Sequence, residues 1–596
     1  MRDQKSIANT AANFRVSPSL GETYTPLRMK PSSPLPNAVA DIVSEPLVYP
    51  SRSGLKMSAF WDHRAVGHDG CPFVVMGPKF GETKKGNLEL AYSLAANGLN
   101  VLRFDHTCHV GESDGNRLDF TLQTAVEDIL ATLDYLRKHH GVASAGVIGN
   151  SLSARTALRA AALDARVSFF ISVVGVVNFR RTIVAVNGED TLGAYLDGRK
   201  RGVDDVLGFE VDFERFLEAV FANNLQGLDG TIEDARRLKV PAVFFAAGDD
   251  VWVELDDVRA VAAALPGARL HVTEGVMHDV RENPEAGAQL FREIVATAVQ
   301  LAYGSRERPA TLRAVPKTEV LKQNRIERNR LRQAVAVERD ETVFWSQYLR
   351  KFDYIQNGEV YRRYLDLVID LLGDIPAGGI VLDAGCGNGF AGIAYDKHAM
   401  ARGPLPGGPP VWVSVDLTSS GLNEAMRHHL GNVEVALGAA PSAAASTSLD
   451  FGYAVGNLDL EARPAGGGID WLADATLSGV VASLLISYLK DPAPLLKELH
   501  RVLKPGGRLV VSSLKPNCDL SLIYRTFIEQ VQNPDELEPA RDLLRAAGAI
   551  RIKEDLGYYR FFSGEDLVEL LSAAGFRHCL PFMTLANQAV VARAEK

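Results

Sequence analysis

Short apolar runs of strand length recur along this chain, separated by amphipathic stretches of helical period. In the first half they are "FVVMG" (73–77), "NVLRFD" (100–105), "SAGVIG" (144–149), "VSFFISVVGV" (167–176), "PAVFFAAG" (241–248) and "ARLHVTEG" (268–275). The clearest intervening helix is "TLQTAVEDILATLDYLRKHH" (121–140). Strands alternating with helices imply a mainly parallel sheet covered on both faces. The alternation lapses between about 177 and 238, a long mixed segment that suits a cap inserted over the sheet. A second alternation follows: "GIVLDAG" (379–385), "VWVSVDL" (411–417), "GVVASLLISYL" (479–489), "GRLVVSSL" (507–514) and "QAVVARA" (588–594).

Two α/β domains are therefore expected, and 596 residues are too many for a single core. Residues 1–44, rich in Ser, Pro, Asn and Thr, read as a poorly ordered segment with no signal-peptide h-region. The first domain spans 45–302 and the second 343–596. Between them, 303–342 is charged and Arg-rich and reads as a solvated linker, helical over 317–339. No apolar run reaches about 18 residues, so no membrane span is expected. The net charge of −9 offers no broad basic field for nucleic acid. Cys71, Cys108, Cys386, Cys518 and Cys579 lie far apart, without zinc spacing. They read as reduced thiols of a cytoplasmic enzyme, and no metal is expected. The sequence does not specify an oligomeric state.

In "GVIGNSLSAR" (146–155), Ser151 follows a strand and opens a helix, almost as in G-x-S-x-G, but Ser153 stands where the last glycine belongs. Serine is nearly small enough there, and its hydroxyl can bond local backbone. A serine nucleophile needs an imidazole base and an acid that orients it. Asp250 follows the strand "PAVFFAAG", and His278 follows "ARLHVTEG", giving the order Ser, Asp, His. Asp249 is a rival acid; Asp250 is preferred because Val253 can then anchor the turn. His271 lies within a strand and reads as structural. His106 and His109 either line a pocket or cap a loop. The oxyanion needs two N–H donors. One is the backbone of Leu152; the other is Lys79 or Phe80, since Pro78 has no N–H.

The motif at Ser151–Arg155, the "VGVVNFR" run Val174–Arg180, the acid loop Asp250–Val253 and the histidine loop Met277–Asp279 together resemble the acyl-transferase (thioesterase) subunit of the bacterial bioluminescence fatty-acid reductase. The resemblance covers about 45–300 and departs from the family at Gly149-Asn150. It implies an α/β-hydrolase fold. It also implies cleavage of an acyl thioester of acyl-carrier protein or coenzyme A through an ester on Ser151.

"VLDAGCGNG" (381–389) carries Asp383, Gly385, Gly387 and Gly389, a G-x-G-x-G loop unlike the dinucleotide G-x-G-x-x-G. With Asp416 ending the next strand and "LKPGGRLVVSS" downstream, it resembles class I S-adenosylmethionine-dependent methyltransferases over 340–596. That resemblance implies a Rossmann-like fold. The glycines approach the methionine part of the cofactor, Asp416 accepts from both ribose hydroxyls, and Asn457 or Leu458 frames the adenine. The stretches at 401–410 and 440–476 read as loops. Trp345, Tyr348, Phe352, Tyr354, Tyr558 and Tyr559 either cover cofactor and acceptor or pack a helical lid. His500 reads as a helix-surface residue. No general base is identified, and a carboxylate acceptor would need none.

The expected protein is thus bifunctional: an acyl thioesterase or acyltransferase joined to a methyltransferase, in specialised lipid or polyketide-like metabolism. Acyl transfer to an alcohol or amine, and an inert domain serving as a carrier-protein binding module, are the competing readings. The released acid or the still-bound chain is the methyl acceptor.

Overall fold

The computed structural model describes residues 41–187, 189–206, 209–280, 284–304, 311–334, 341–352, 358–401, 406–438, 449–460, 469–516, 518, 550, 553–554 and 557–596. The segment 1–40, Tyr354, and parts of both expected loops (402–405, 439–448 and 461–468) lie outside the described residues. Among the described residues, 41–334 with 550–557 form one compact unit, and 341–518 with 558–596 form another.

Among its described residues the first unit has ten strands. They are β1 (Ile42–Pro50), β2 (Lys56–Arg64), β3 (Phe73–Met76), β4 (Asn100–Phe104), β5 (Ala145–Asn150), β6 (Val167–Val173), β7 (Val203–Val206), β8 (Phe209–Asp212), β9 (Ala242–Ala247) and β10 (Arg269–Thr273). Eight form one sheet in the order β1-β2-β4-β3-β5-β6-β9-β10. β1, β2 and β4 pair antiparallel, and β4 through β10 are parallel. β3, β4 and β9 are buried along their whole length; β3 and β9 accordingly read as unbroken apolar runs, whereas β4 carries Asn100 and Arg103 into the interior. The helix expected at 121–140 runs Leu122–His140, opened by a Thr121–Thr124 capping box and closed by Gly141 at φ 64. Between β6 and β9 the described residues of the cap form four helices and the antiparallel β7–β8 pair.

The charged segment expected as a linker holds helix Lys317–Ala334, whose Glu327 and Leu331 are buried. Arg103 on β4, fully buried, explains this. It donates to Asp62 on β2 from Nε at 2.6 Å and to Glu327 from one terminal nitrogen at 2.8 Å. A buried guanidinium needs paired anions, and the helix supplies one of them.

Among its described residues the second unit has seven strands. They are β11 (Ile380–Ala384), β12 (Val411–Asp416), β13 (Asp450–Val455), β14 (Leu477–Ala482), β15 (Leu503–Leu514), β16 (Arg577–Thr584) and β17 (Ala589–Glu595). Their order is β13-β12-β11-β14-β15-β17-β16, with β17 antiparallel to both neighbours and the remaining pairs parallel. The order reverses between β11 and β14, and a doubly wound sheet binds its ligand at such a switch point. β13 corrects the expectation that 440–476 is all loop: Asp450–Val455 is an edge strand paired in register with β12.

Candidate active sites

In the first unit, β5 runs into Ser151, which sits at φ 54, ψ −128 and opens helix Leu152–Leu163. A non-glycine residue at positive φ persists only where its surroundings fix it. Ser151 N–H donates to Val173 O at 3.0 Å, and its own carbonyl accepts from Val176 N–H at 3.0 Å. Ser153 Oγ donates to Asn150 O at 2.9 Å and accepts from Asn150 N–H at 3.0 Å. The hydroxyl in the missing glycine's place thus ties the elbow to its own strand. Gly149 lets strand and helix approach: a Cβ there would lie 2.5 Å from Ala154 Cα. Arg155, also buried, pairs with Asp234 at 2.7 Å and so fixes the elbow helix to cap helix Leu228–Arg237.

Ser151 Oγ lies 2.7 Å from His278 Nε2, and His278 Nδ1 lies 2.8 Å from Asp250 Oδ2. The other Asp250 oxygen accepts from Trp252 N–H at 2.9 Å and Val253 N–H at 3.1 Å. Asp249 faces elsewhere and accepts from Gly275 N–H at 2.9 Å. His278 is 4% exposed, with the Trp252 ring 4.7 Å from its own. An imidazole bonded to a carboxylate at Nδ1 presents a lone pair at Nε2, the state a base for Ser151 requires.

Leu152 begins a twelve-residue helix, so its N–H is among those without an intrahelical acceptor. On the opposite loop the two expected donors diverge in their side chains. Lys79 Nζ lies 3.8 Å from Asp279, and the Phe80 ring stacks edge-on to Phe209 of the cap hairpin at 4.9 Å. His109 caps this loop: its Nε2 accepts from Gly81 N–H at 3.1 Å. Its ring packs among Phe80, Phe120 and Phe209, and burial holds its pKa well below the usual histidine value. His106 bonds Asp128 at 3.2 Å. His271 stacks on Phe245 within the sheet.

In the second unit, the loop between β11 and helix Phe390–Met400 holds Gly385, Gly387 and Gly389 at φ 72, 51 and 79. Gly385 at φ 72 takes a left-handed backbone that side chains rarely adopt, and a Cβ there would press on the Leu485 side chain at 2.8 Å. Beside this loop lies a cavity of about 420 Å³. Asp383, Gly385, Gly387, Asp416, Asn457 and Leu458 line it; Gly389 does not, and begins the following helix instead. Asp416 Oδ2 accepts from Gly387 N–H at 2.9 Å, and Oδ1 accepts from Thr418 N–H and Oγ1 at 2.8 Å each. Three of roughly four carboxylate acceptor positions of Asp416 are thus filled by the protein itself. Asn457 Oδ1 accepts from Asp459 N–H at 2.9 Å, shaping the turn after β13. Asp383 Oδ1 is buried without a hydrogen-bond partner, and burial pushes the carboxyl up to about 7. An unpartnered carboxylate oxygen in a glycine-walled cavity fits a cationic ligand with hydrogen-bond donors, as S-adenosylmethionine is.

Trp345, Tyr348 and Phe352 on helix Glu341–Phe352 line the cavity, as do Tyr361 and Tyr488. Tyr559 is fully buried behind them, its ring 6.0 Å from Trp345. His500 lies in the last turn of helix Pro492–Val502 against Phe576. Glu341, whose carboxylate accepts from Tyr559 O–H at 2.6 Å, is a charged cavity residue that the sequence reading missed, as it missed Tyr361 and Tyr488. Its spacing to Trp345 and Tyr348, four and seven residues on, was the available signal.

The fold and its sites define an α/β-hydrolase unit joined to a Rossmann-like methyltransferase unit. Family comparison assigns each: residues 74–336 match the acyl transferase family and 354–579 a methyltransferase domain family. The acyl transferase of Photobacterium phosphoreum is 33% identical over 214 residues, 36% of this chain and 69% of that protein. That of Vibrio harveyi is 31% identical over 220 residues, 37% of this chain and 71% of that protein. Among solved structures, Est1E of Butyrivibrio proteoclasticus with bound ferulic acid covers 42% of this chain and 99% of its own, at 17% identity and a TM-score of 0.37. The chain belongs to the acyl transferase family through its N-terminal part and carries a methyltransferase domain after it.

Proposed function

We propose that the protein cleaves an acyl thioester through Ser151 and transfers a methyl group from S-adenosylmethionine to the acyl product or to the chain while still bound. The first half of the reading is carried by the hydrogen-bonded line Ser151–His278–Asp250. His278 takes the Ser151 proton as Oγ attacks the thioester carbonyl, and the leaving thiolate takes a proton from His278. Asp250 holds the imidazole in the tautomer this requires. Leu152 N–H and Lys79 or Phe80 N–H are the oxyanion donors. Acyl-carrier protein or coenzyme A is the leaving group, and water, an alcohol or an amine takes the acyl group from Ser151.

In the second half, Asp383, Gly385, Gly387, Asp416 and Asn457 hold S-adenosylmethionine, with Leu458 beside the adenine and Gly389 starting the helix that closes the loop. The cofactor supplies an activated methyl group when bound. Trp345, Tyr348 and Phe352 exclude water from it.

Purified Ser151→Ala protein tests the reading. It should release no thiol from a panel of acyl-coenzyme A substrates and take no fluorophosphonate label, yet bind S-adenosylhomocysteine like the parent. Labelling at full yield moves the nucleophile elsewhere, with Ser153 the first suspect. Product analysis with added alcohols and amines identifies the acyl acceptor.

A further inference from the structure

The loop Gly77–Thr83, which carries Lys79 and Phe80, joins β3 to the short helix Lys84–Asn87 and belongs to neither. Donors to an oxyanion must be preorganised, since a misplacement of about 1 Å costs on the order of 100-fold in rate. Two buried histidines of the stretch "DHTCHVGE" (105–112) meet this loop at two points. Gly81 N–H donates to His109 Nε2 at 3.1 Å. At the other end, a Cβ on Gly77 would come within 3.2 Å of His106 Nε2, and Asn87 Nδ2 donates to Gly77 O at 2.8 Å. Lys79 and Phe80 lie between these two points of support.

The histidines are themselves held. Asp128 on helix Leu122–His140 accepts from Thr107 N–H at 2.8 Å and lies 3.2 Å from His106 Nδ1. Asp105 accepts from Lys84 N–H at 2.7 Å and from Glu112 N–H at 2.9 Å, which ties 105–112 to the residue that follows Thr83. Only a neutral imidazole protonated at Nδ1 accepts at Nε2. Burial keeps His109 in the neutral form. Its ring lies 4.6 Å from that of Phe120 and 4.5 Å from that of Phe209, and Phe209 in turn meets Phe80 at 4.9 Å. One residue thus gives the cluster an apolar ring and the loop an acceptor, a combination that neither Phe nor Gln offers.

Resting on the serine reading above, we infer that His109, backed by His106, is a positioning residue of the acyl-transfer reaction: its accepted hydrogen bond sets where the Lys79 and Phe80 N–H groups stand when the oxyanion forms. In that step Ser151 Oγ bonds to the thioester carbonyl carbon, the Oγ proton passes to His278, and the carbonyl π electrons move onto the oxygen. On collapse the C–S bond breaks with its electrons on sulfur, which takes the proton back from His278.

Two substitutions in the full chain test this. His109→Phe keeps a ring in the cluster and deletes the acceptor; His109→Gln keeps an acceptor near the Nε2 position and deletes the ring. Thiol release is measured on butyryl- to palmitoyl-coenzyme A. His109→Phe should lower kcat and kcat/KM alike, by about 10- to 100-fold, as loss of an interaction made in the transition state does. Affinity for an alkyl trifluoromethyl ketone of matching chain, whose adduct with Ser151 carries the oxyanion, should fall by the same factor. His109→Gln should turn over at least about tenfold faster than His109→Phe. A packing role alone predicts the reverse order and an unmoved ketone affinity, and either result overturns the inference. Should neither variant fold by circular dichroism, Gly77→Ala decides, because its methyl presses on His106: a kcat loss of about tenfold with ketone affinity falling in step supports the inference, and parent-like values overturn it. A Ser151→Ala protein that keeps its turnover, or a parent that takes no ketone, would instead overturn the serine reading itself.

Discussion

Asparagine at position 250 turns one carboxylate oxygen into an NH2 group, and the structure determines where that group must point. Facing Trp252 N–H and Val253 N–H, 2.9 and 3.1 Å from Oδ1, it would set donor against donor twice. Each buried donor left unsatisfied costs about 1–3 kcal/mol, or about 2–6 kcal/mol for the pair. Facing His278 Nδ1, it makes a good hydrogen bond if the imidazole switches tautomer. That switch costs far less, so the amide turns toward the histidine. Nε2 then carries a proton and faces Ser151 Oγ at 2.7 Å, unable to accept another. Thiol release from acyl-coenzyme A should fall about 10³- to 10⁴-fold in Asp250→Asn. Because the hydrogen-bond count is preserved, stability should change by less than about 1 kcal/mol. A chromogenic thiol assay measures the first quantity and denaturant unfolding the second. Turnover within tenfold of the parent in a folded Asp250→Asn protein would refute the tautomer argument, and with it the role given to Asp250.

Gly149→Ala should destabilise the first unit by about 1–3 kcal/mol, because the new methyl meets backbone at Ala154; an unchanged melting temperature would show that strand and helix can part there freely. Asp416→Ala should weaken S-adenosylhomocysteine binding by about 1.5–3 kcal/mol for the lost charge-assisted hydrogen bond, read by calorimetry. Asp383, raised to about 7 by burial, binds a proton in the folded protein that it lacks unfolded between about pH 4 and 7. Its contribution therefore favours the fold at acid pH and fades as pH rises through about 7. Asp383→Asn should flatten that decline in unfolding experiments, and in the parent, affinity for cationic S-adenosylmethionine should increase over the same range.

Much of this was legible because chain order maps onto strand order in parallel sheets. Ser151, Asp250 and His278 each follow a strand that reads as an apolar run, so their convergence could be anticipated. Apart from β10, the edge strands of the sheets could not. β1 and β2 carry Glu45, Asp62 and His63, and these charges conceal strand character until Arg103 is seen to neutralise Asp62. β13 sits at an edge, and β16 contains Pro581, which edge strands tolerate. The bonding of Asp416 to Gly387 and Thr418 was equally invisible, since sequence shows an acid at a strand end but not how many of its lone pairs the protein itself consumes.

The ion pair between Arg103 and Glu327 also dictates where the two catalytic halves can be parted. Helix Pro284–Tyr303 looks like the natural end of the acyl-transferring half. A cut directly after it would discard Glu327 and strand half the counter-charge of a guanidinium that no water reaches. Losing one partner of a buried pair costs about 3–5 kcal/mol, a large share of the 5–15 kcal/mol that holds a typical domain together. The family match itself runs on to residue 336, past this helix. A fragment that keeps this pair must therefore run at least to Ala334, whereas one cut at residue 303 loses it; and because 550–557 belong to the same unit, with Lys85 Nζ 3.3 Å from Glu554, even a split at Ala334 takes a partner from a second buried charge.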